Sequence, residues 1–203
     1  MLSDPQHLYD DACERLAQIP QEELFNSSAY QKLREQWCIG VLGIGYAQYV
    51  RPCTVGINHS SDHLDADAFM ESQGVLYPFQ IVETMKDGRK RGKEKKDLAS
   101  GVIRSVSYEP EKGRIEGPNW IANMIAKKAD KRYSGSTNLN LLVYANFDAH
   151  QLNYEDVRTK AEQFRTCFHS IWMILNTHIC SLYSSDKLGS LPGWGEIDGV
   201  ESI

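Results

Sequence analysis

The chain has 203 residues and a formal net charge of −5 at pH 7, with 41% hydrophobic and 24% charged residues. That length is sufficient for one well-buried core, and the composition is ordinary for a globular protein. No apolar run approaches the roughly 18 residues that a membrane span needs, and the acidic, amphipathic N-terminus is unlike a signal peptide. We therefore predict a cytoplasmic protein with no membrane contact.

The charge is distributed unevenly along the chain. Residues 1–80 contain 4 Lys or Arg and 11 Asp or Glu, whereas residues 86–132 contain 14 Lys or Arg and 7 Asp or Glu. A strongly basic segment in an acidic frame is typical of proteins that bind polyanions.

The motifs of several other protein classes are missing from the sequence. The five cysteines are widely spaced and form no CxxC pair, so we expect free thiols rather than a zinc site or disulfide framework. The sequence contains no HExxH, no GxxxxGK[ST] and no nucleophile elbow, which argues against a zinc hydrolase, a P-loop NTPase and a serine hydrolase. Two histidines, His59 and His63, flank the polar turn that precedes Asp65.

Apolar residues at helical spacing predict two helices in the N-terminal part. The first covers residues 5–18, with Asp4 as N-cap and Pro5 at the first helical position, where its missing N–H does no harm. The second covers residues 28–49, with Ser28 as its cap and a broad apolar face.

Three short strands joined by polar turns follow, as an antiparallel meander. They cover residues 53–58, 63–70 and 75–84. Alternation along the second strand places Asp65 and Asp67 on one face, and the third leads into Glu83. Carboxylates at the ends of adjacent strands cost desolvation free energy unless they bind a cation, a basic side chain or water.

The remaining elements alternate between helix and strand. Residues 86–97 are too charged to be buried and predict an exposed loop. Gly113, Gly117 and Pro118 indicate turns, after which Asn119 caps a helix from Trp120 to about Tyr133. The further predictions are a central strand at 139–147, a helix at 154–169, a pair of strands in IWMILN and HICSLYS, and a poorly ordered tail.

The predicted organisation is therefore a mixed α/β domain with helices covering a central sheet. It comprises an N-terminal helical extension (1–27), the domain itself (28–185) and a C-terminal tail (186–203).

This order of elements, with carboxylates on the second and third strands, resembles the PD-(D/E)XK (restriction endonuclease-like) superfamily of restriction and repair nucleases. The resemblance covers roughly residues 28–147 and is carried by LDADAF, by PFQIVE, and by the Lys-bearing helix and LLVYANF strand that follow. It implies an αβββαβ core and Mg²⁺, or Mn²⁺, as cofactor.

The resemblance implies a set of metal ligands. Asp67, or Asp65 on the same face, is the first ligand and Glu83 the second. Gln80 is the next candidate, and Glu35 completes the site if its helix packs over the meander. Hard cations prefer such oxygen ligands, lower the pKa of a bound water and stabilise the phosphate in its transition state.

One feature of the family pattern is missing. A Lys is expected two residues after the third-strand acidic residue, but Met85 follows Glu83 and Val82 follows Gln80. The resemblance then implies that the ammonium group comes from elsewhere, with Lys90 of the loop and Lys127 of the helix as catalytic candidates. The residues expected to contact nucleic-acid phosphates are Lys86, Arg89, Lys90, Arg91, Lys93, Lys95, Lys96 and Lys128.

Two functions remain open from the sequence. The first is a Mg²⁺-dependent nuclease acting on nucleic-acid phosphodiesters. The second is a catalytically inactive module of the same fold that binds nucleic acid or a protein, for example in phage–host defence. In the plainer reading, Asp65 and Asp67 are solvated strand residues and Glu83 pairs with Arg89 or Arg91. The oligomeric state stays open, and a homodimer is compatible with the sequence.

Overall fold

A computed structural model describes residues 1–20, 30–59, 65–86, 109–131, 138–149, 152–185 and 187–201. Within these ranges the helices are α1 (Pro5–Ala17), α2 (Gln31–Tyr49), α3 (Pro110–Ala129) and α4 (Tyr154–Ala161), and a 3₁₀ turn (Glu162–Phe164) follows α4. The strands are β1 (Thr54–Ile57), β2 (Ala68–Ser72), β3 (Val75–Met85), β4 (Asn140–Asn146), β5 (Ser170–Leu175), β6 (His178–Tyr183) and β7 (Gly195–Glu196).

The seven strands form a single sheet whose spatial order follows the chain, from β1 to β7. β3 and β4 pair in parallel, as do β4 and β5, and the other neighbours are antiparallel. A parallel pair needs a crossover connection, and here α3 and α4 lie in those two connections. The predicted mixed α/β class is therefore confirmed.

The two N-terminal helices pack closely on each other. Asp4 caps α1 as predicted, since its carboxylate accepts the N–H of Gln6 at 2.9 Å. A Cβ atom on Gly43 of α2 would lie 2.8 Å from the ring of Pro5, so glycine at this position lets the helices approach. The predicted cap Ser28 lies outside the described residues.

The meander agrees with the prediction except at the start of its second strand. β2 begins at Ala68 rather than at residue 63, so Asp65 and Asp67 precede the strand instead of lying on it. Before the strand, the side-chain amide of Asn58 donates to the carbonyl of Ala66 at 2.8 Å, so a side chain takes the place of a backbone donor there. The backbone of Asp67 still accepts the N–H of Asn58 at 3.0 Å and donates to the carbonyl of Phe79.

The start predicted for α3 was wrong. The helix begins at Pro110 and ends at Ala129, so Asn119 does not cap it. The two glycines that indicated turns face β4 instead. A Cβ atom on Gly113 would lie 1.8 Å from the carbonyl oxygen of Asp148, and one on Gly117 would lie 2.7 Å from the Phe147 ring. These glycines therefore serve close packing of the helix on the sheet, and the helix accommodates Pro118.

The last predicted helix is shorter than expected. Asn153 accepts the N–H of Glu155 at 3.0 Å and so caps α4, but the α-helix ends at Ala161 rather than near His169. The 3₁₀ turn then leads the chain towards β5, where the N–H of His169 donates to the carbonyl of Leu139 at 2.8 Å.

The C-terminal tail is part of the fold, contrary to the predicted disorder. Leu188, Ile197 and Val200 are buried in the core beneath α2, and β7 pairs with β6. The backbone N–H of Glu201 donates to the hydroxyl of Tyr9 at 2.9 Å. The tail thus fastens α1 and α2 to the sheet.

Two apolar cores lie on the two faces of the sheet. One contains the buried side chains of α1 and α2 with those of β3 and β5 that face them, among them Trp37, Phe79 and Trp172. The other lies under α3 and α4 and includes Ile121 and Val143. All five cysteines are free, as expected. In the described ranges, no helix is both long and apolar enough to cross a membrane.

Candidate active site

The Asp67 carboxylate is fixed against β3. Asp67 lies directly before β2, and its N–H donates to the carbonyl of Phe79 at 2.8 Å. Its Oδ2 accepts the N–H of Ile81 at 2.8 Å and also the side-chain amide of Gln80. The sequence places Asp67 and Gln80 on different strands, and the antiparallel register makes them neighbours on one face of the sheet.

A lysine of α3 lies within electrostatic reach of this carboxylate. Lys128, in the last turn of α3, is partly buried, whereas Lys127 is exposed. Burial lowers the pKa of the Lys128 ammonium, and the negative charges of Asp67 and Glu35 act against that shift. Of the two neighbouring lysines, Lys128 is therefore the partly buried one, and the negative charge of Asp67 favours its ammonium form.

Glu83 lies on the face of β3 opposite to the one that carries Gln80. Ile81 and Glu83 line a cavity of about 150 Å³ between α2 and the sheet, while Gln80 points to the α3 side, where it bonds Asp67. The carboxylate of Glu83 accepts the side-chain amide of Asn146 at 2.5 Å. The expected pairing of Asp67 with Glu83 is thus replaced by a pairing of Asp67 with Gln80, as the three-residue spacing requires in a regular strand.

Glu35 shares the cavity with Glu83. It is 5% exposed, its Oε1 accepts the amide of Gln31 at 2.8 Å, and its Oε2 lies 2.9 Å from the ammonium of Lys32. Helix α2 does pack over the meander, and it brings Glu35 to β3 from the side away from Gln80. Arg34 also lines the cavity. In the sequence, only its position directly before Glu35 indicated that it could lie at the site.

The other predicted residues are dispersed. Asp65 lies in the turn before β2, Lys86 pairs with Glu109, and His59 is exposed. In the described part of the chain, no three His, Cys, Asp or Glu side chains group as metal ligands would. The predicted residues that lie outside the described ones are His63, Arg89, Lys90, Arg91, Lys93, Lys95 and Lys96.

The oxygen atoms at Asp67 and Gln80 fit a hard cation. Both hydrogen bonds to Asp67 use Oδ2, and Gln80 donates through its amide nitrogen, which leaves the other carboxylate oxygen and the amide oxygen as potential ligands. Mg²⁺ is commonly held by one or two protein oxygens together with several waters. Asp67 and Gln80 are therefore the described residues whose oxygen atoms are of the type that would hold such a cation.

The chain was compared with protein-family models, curated proteins and solved structures, and none of them matches it. Its function must therefore be inferred from the residues of the site and from the surfaces around them.

Proposed function

We propose that this protein is a Mg²⁺- or Mn²⁺-dependent nuclease-like hydrolase of nucleic-acid phosphodiesters. The supporting observation is the Asp67 carboxylate held beside Gln80, within the electrostatic influence of Lys128. The order of elements adds support, because a helix, three strands, a helix and a fourth strand follow one another as in the αβββαβ core that the resemblance implies.

Each residue has a distinct role in this proposal. Asp67 and Gln80 would hold the cation, which when bound would supply activation of water and charge neutralisation at the phosphate. Lys128 stabilises the negative charge that develops on the phosphate oxygens, the task of the lysine that the strand lacks. Lys127, which is exposed, contacts a flanking phosphate and contributes to salt-dependent binding.

The test is Asp67→Asn, which keeps the shape of the side chain and removes its charge. Supercoiled plasmid, single-stranded DNA and RNA are incubated with Mg²⁺, Mn²⁺ or EDTA. We expect metal-dependent cleavage by the wild type and a loss of about 100-fold or more in the variant, in line with losing one electrostatic contribution to catalysis. The matched control is Asp130→Asn, an exposed aspartate directly after α3, which should leave cleavage unchanged. A wild type that cleaves none of these substrates with either metal would refute the proposal.

A non-catalytic binding module is the second candidate. It is favoured by the position of Glu83, which is bonded to Asn146 on the face of β3 away from Asp67, and by the apolar Val82 and Met85 where the family pattern expects lysine. Calorimetric titration with Mn²⁺ separates the two candidates. Nucleic-acid binding that loses affinity when Arg89 to Lys96 are neutralised, with no heat of metal binding and no cleavage, would establish the second.

A further inference from the structure

Asn58 binds the backbone on both sides of the Asp67 Cα atom. It directly follows β1 and is 6% exposed. Its side-chain amide donates to the carbonyl of Ala66 at 2.8 Å, and its backbone N–H donates to the carbonyl of Asp67 at 3.0 Å. Both acceptors precede β2, so Asn58 continues the contact between β1 and this segment for two residues beyond the strand.

These bonds act on the two peptide groups that flank the Asp67 Cα atom. A peptide group is planar, so its carbonyl and its N–H turn together. In the group before this atom, the carbonyl of Ala66 accepts the Asn58 amide, and the N–H of Asp67 donates to the carbonyl of Phe79 at 2.8 Å. In the group after it, the Asp67 carbonyl accepts the backbone N–H of Asn58. The first group is therefore held at both ends, by Asn58 after β1 and by β3.

The orientation of these peptide groups decides where the Asp67 carboxylate lies. The dihedrals φ and ψ are the only soft backbone dihedrals of a residue, and with both fixed the direction of the Cα–Cβ bond is fixed as well. The carboxylate then accepts the N–H of Ile81 at 2.8 Å. A metal site needs its ligands within about 0.5 Å of the productive geometry. A rotation of the Ala66–Asp67 peptide group would therefore weaken the binding of a cation.

We infer that Asn58 is a positioning residue: its side-chain amide orients the Ala66–Asp67 peptide group and, through it, the Asp67 carboxylate that would hold the cation. The inference rests on the proposed function. The backbone N–H at position 58 is present in every variant, so a substitution tests the bond from the side chain to Ala66. Replacing a residue that orients a metal ligand typically lowers metal affinity about 10- to 100-fold.

Hydrogen exchange of the Ile81 amide measures the position of the carboxylate without any metal. The full chain is studied by NMR as wild type, Asn58→Ala and Asn58→Asp, and Asp67→Ala gives the exchange rate of Ile81 without the carboxylate. Aspartate keeps the shape and an acceptor oxygen of asparagine but has no amide donor. The reference is the amide of Ser181 on β6, which donates to the carbonyl of Leu191 at 2.9 Å, because global unfolding exposes both amides.

We expect each Asn58 variant to speed exchange at Ile81, relative to Ser181, by about 10-fold or more. Each should also weaken Mn²⁺ binding in a calorimetric titration by about 10-fold. The matched control is Asn153→Ala, which removes another bond between an asparagine side chain and the backbone, at the start of α4. It should change neither the ratio of the two exchange rates nor the Mn²⁺ affinity. The two Asn58 variants lose the same donor, so either one that folds is sufficient.

Exchange at Ile81 that rises no more than exchange at Ser181 would overturn the inference, because a purely structural Asn58 would lower the protection of both amides alike. Unchanged Mn²⁺ affinity in a variant with faster Ile81 exchange would also overturn it, since the cation would not depend on this orientation. The proposed function fails separately. A wild type that neither binds Mn²⁺ nor cleaves nucleic acid refutes the hydrolase, and the exchange at Ile81 still decides whether Asn58 orients Asp67.

Discussion

Replacing Asn140 with alanine is expected to destabilise the protein, because this one side chain joins three strands. Asn140 is fully buried at the start of β4. Its amide nitrogen donates to the carbonyl of Pro78 at 2.9 Å, and its oxygen accepts the hydroxyl of Ser170 at 2.6 Å. Alanine would leave the partly buried carbonyl of Pro78 on β3 and the buried hydroxyl of Ser170 on β5 without these partners.

The size of the effect follows from those two groups. An unsatisfied buried polar group costs about 1–3 kcal/mol, so the loss of both partners in Asn140→Ala should lower the free energy of unfolding by about 2–6 kcal/mol. For a protein of this size each kcal/mol corresponds to about 2–4 °C, and the melting temperature should fall by roughly 4–24 °C. Urea denaturation followed by circular dichroism measures the change. The matched control is Asn123→Ala on the exposed face of α3, expected to change stability by less than about 0.5 kcal/mol.

Asn140 also protects the arrangement of the site. The parallel ladder of β3 and β4 starts with Phe79 opposite Asn140, and a slip of one residue would exchange the faces of Gln80 and Glu83. A loss below about 1 kcal/mol in Asn140→Ala, with Ser170→Ala equally mild, would refute the reasoning. It would mean that water or a backbone shift satisfies both groups.

Three other changes test separate parts of the structure. Gly113→Ala should prevent stable folding, because the added Cβ would overlap the carbonyl of Asp148; an unchanged melting temperature would contradict the described packing of α3. Lys128→Met should stabilise the protein at pH 7 while abolishing cleavage. Burial lowers the pKa of Lys128 in the folded state, so the charged ammonium destabilises the folded wild type at pH values below that pKa. The difference in the free energy of unfolding between Lys128→Met and the wild type should therefore shrink as the pH rises towards the pKa of the unfolded state. Burial raises the pKa of the Cys53 thiol to about 12, so native Cys53 should react with a disulfide reagent at pH 8 far more slowly than in urea, and equal rates would show that it is accessible.

The sequence predicted elements whose signals are local. The N-cap Asp4 followed by Pro5, and the polar turn between the second and third strands, are contained in a few residues, and both are present in the structure, the turn as Gln73 and Gly74 with positive φ. The start of α3 depends on contacts that the sequence does not display. Gly113 and Gly117 have the composition of turns, but their missing side chains make room for the end of β4, which lies 30 or more residues later.

The candidate site was predictable in part. The predicted carboxylate of Asp67 lies against β3, whereas the three-residue spacing of Gln80 and Glu83 places these two predicted ligands on opposite faces of that strand. Which of Lys127 and Lys128 is partly buried could not be predicted, because the two differ only in their direction around the helix axis. That direction depends on how α3 packs, and the buried Ile121 and Ile125 set it.

The bond between Glu201 and Tyr9 has a consequence for how the protein folds. The two residues are 192 positions apart, and the nearby Ile197 and Val200 complete the core that α1 and α2 share. During synthesis that core remains open until residue 200 has emerged from the ribosome, since domains fold only when their contacts are available. Contacts of such high sequence separation also slow folding. The two helices that are synthesised first are therefore the last to complete their packing. Until then, the residues of the tail do not cover the apolar face of α2.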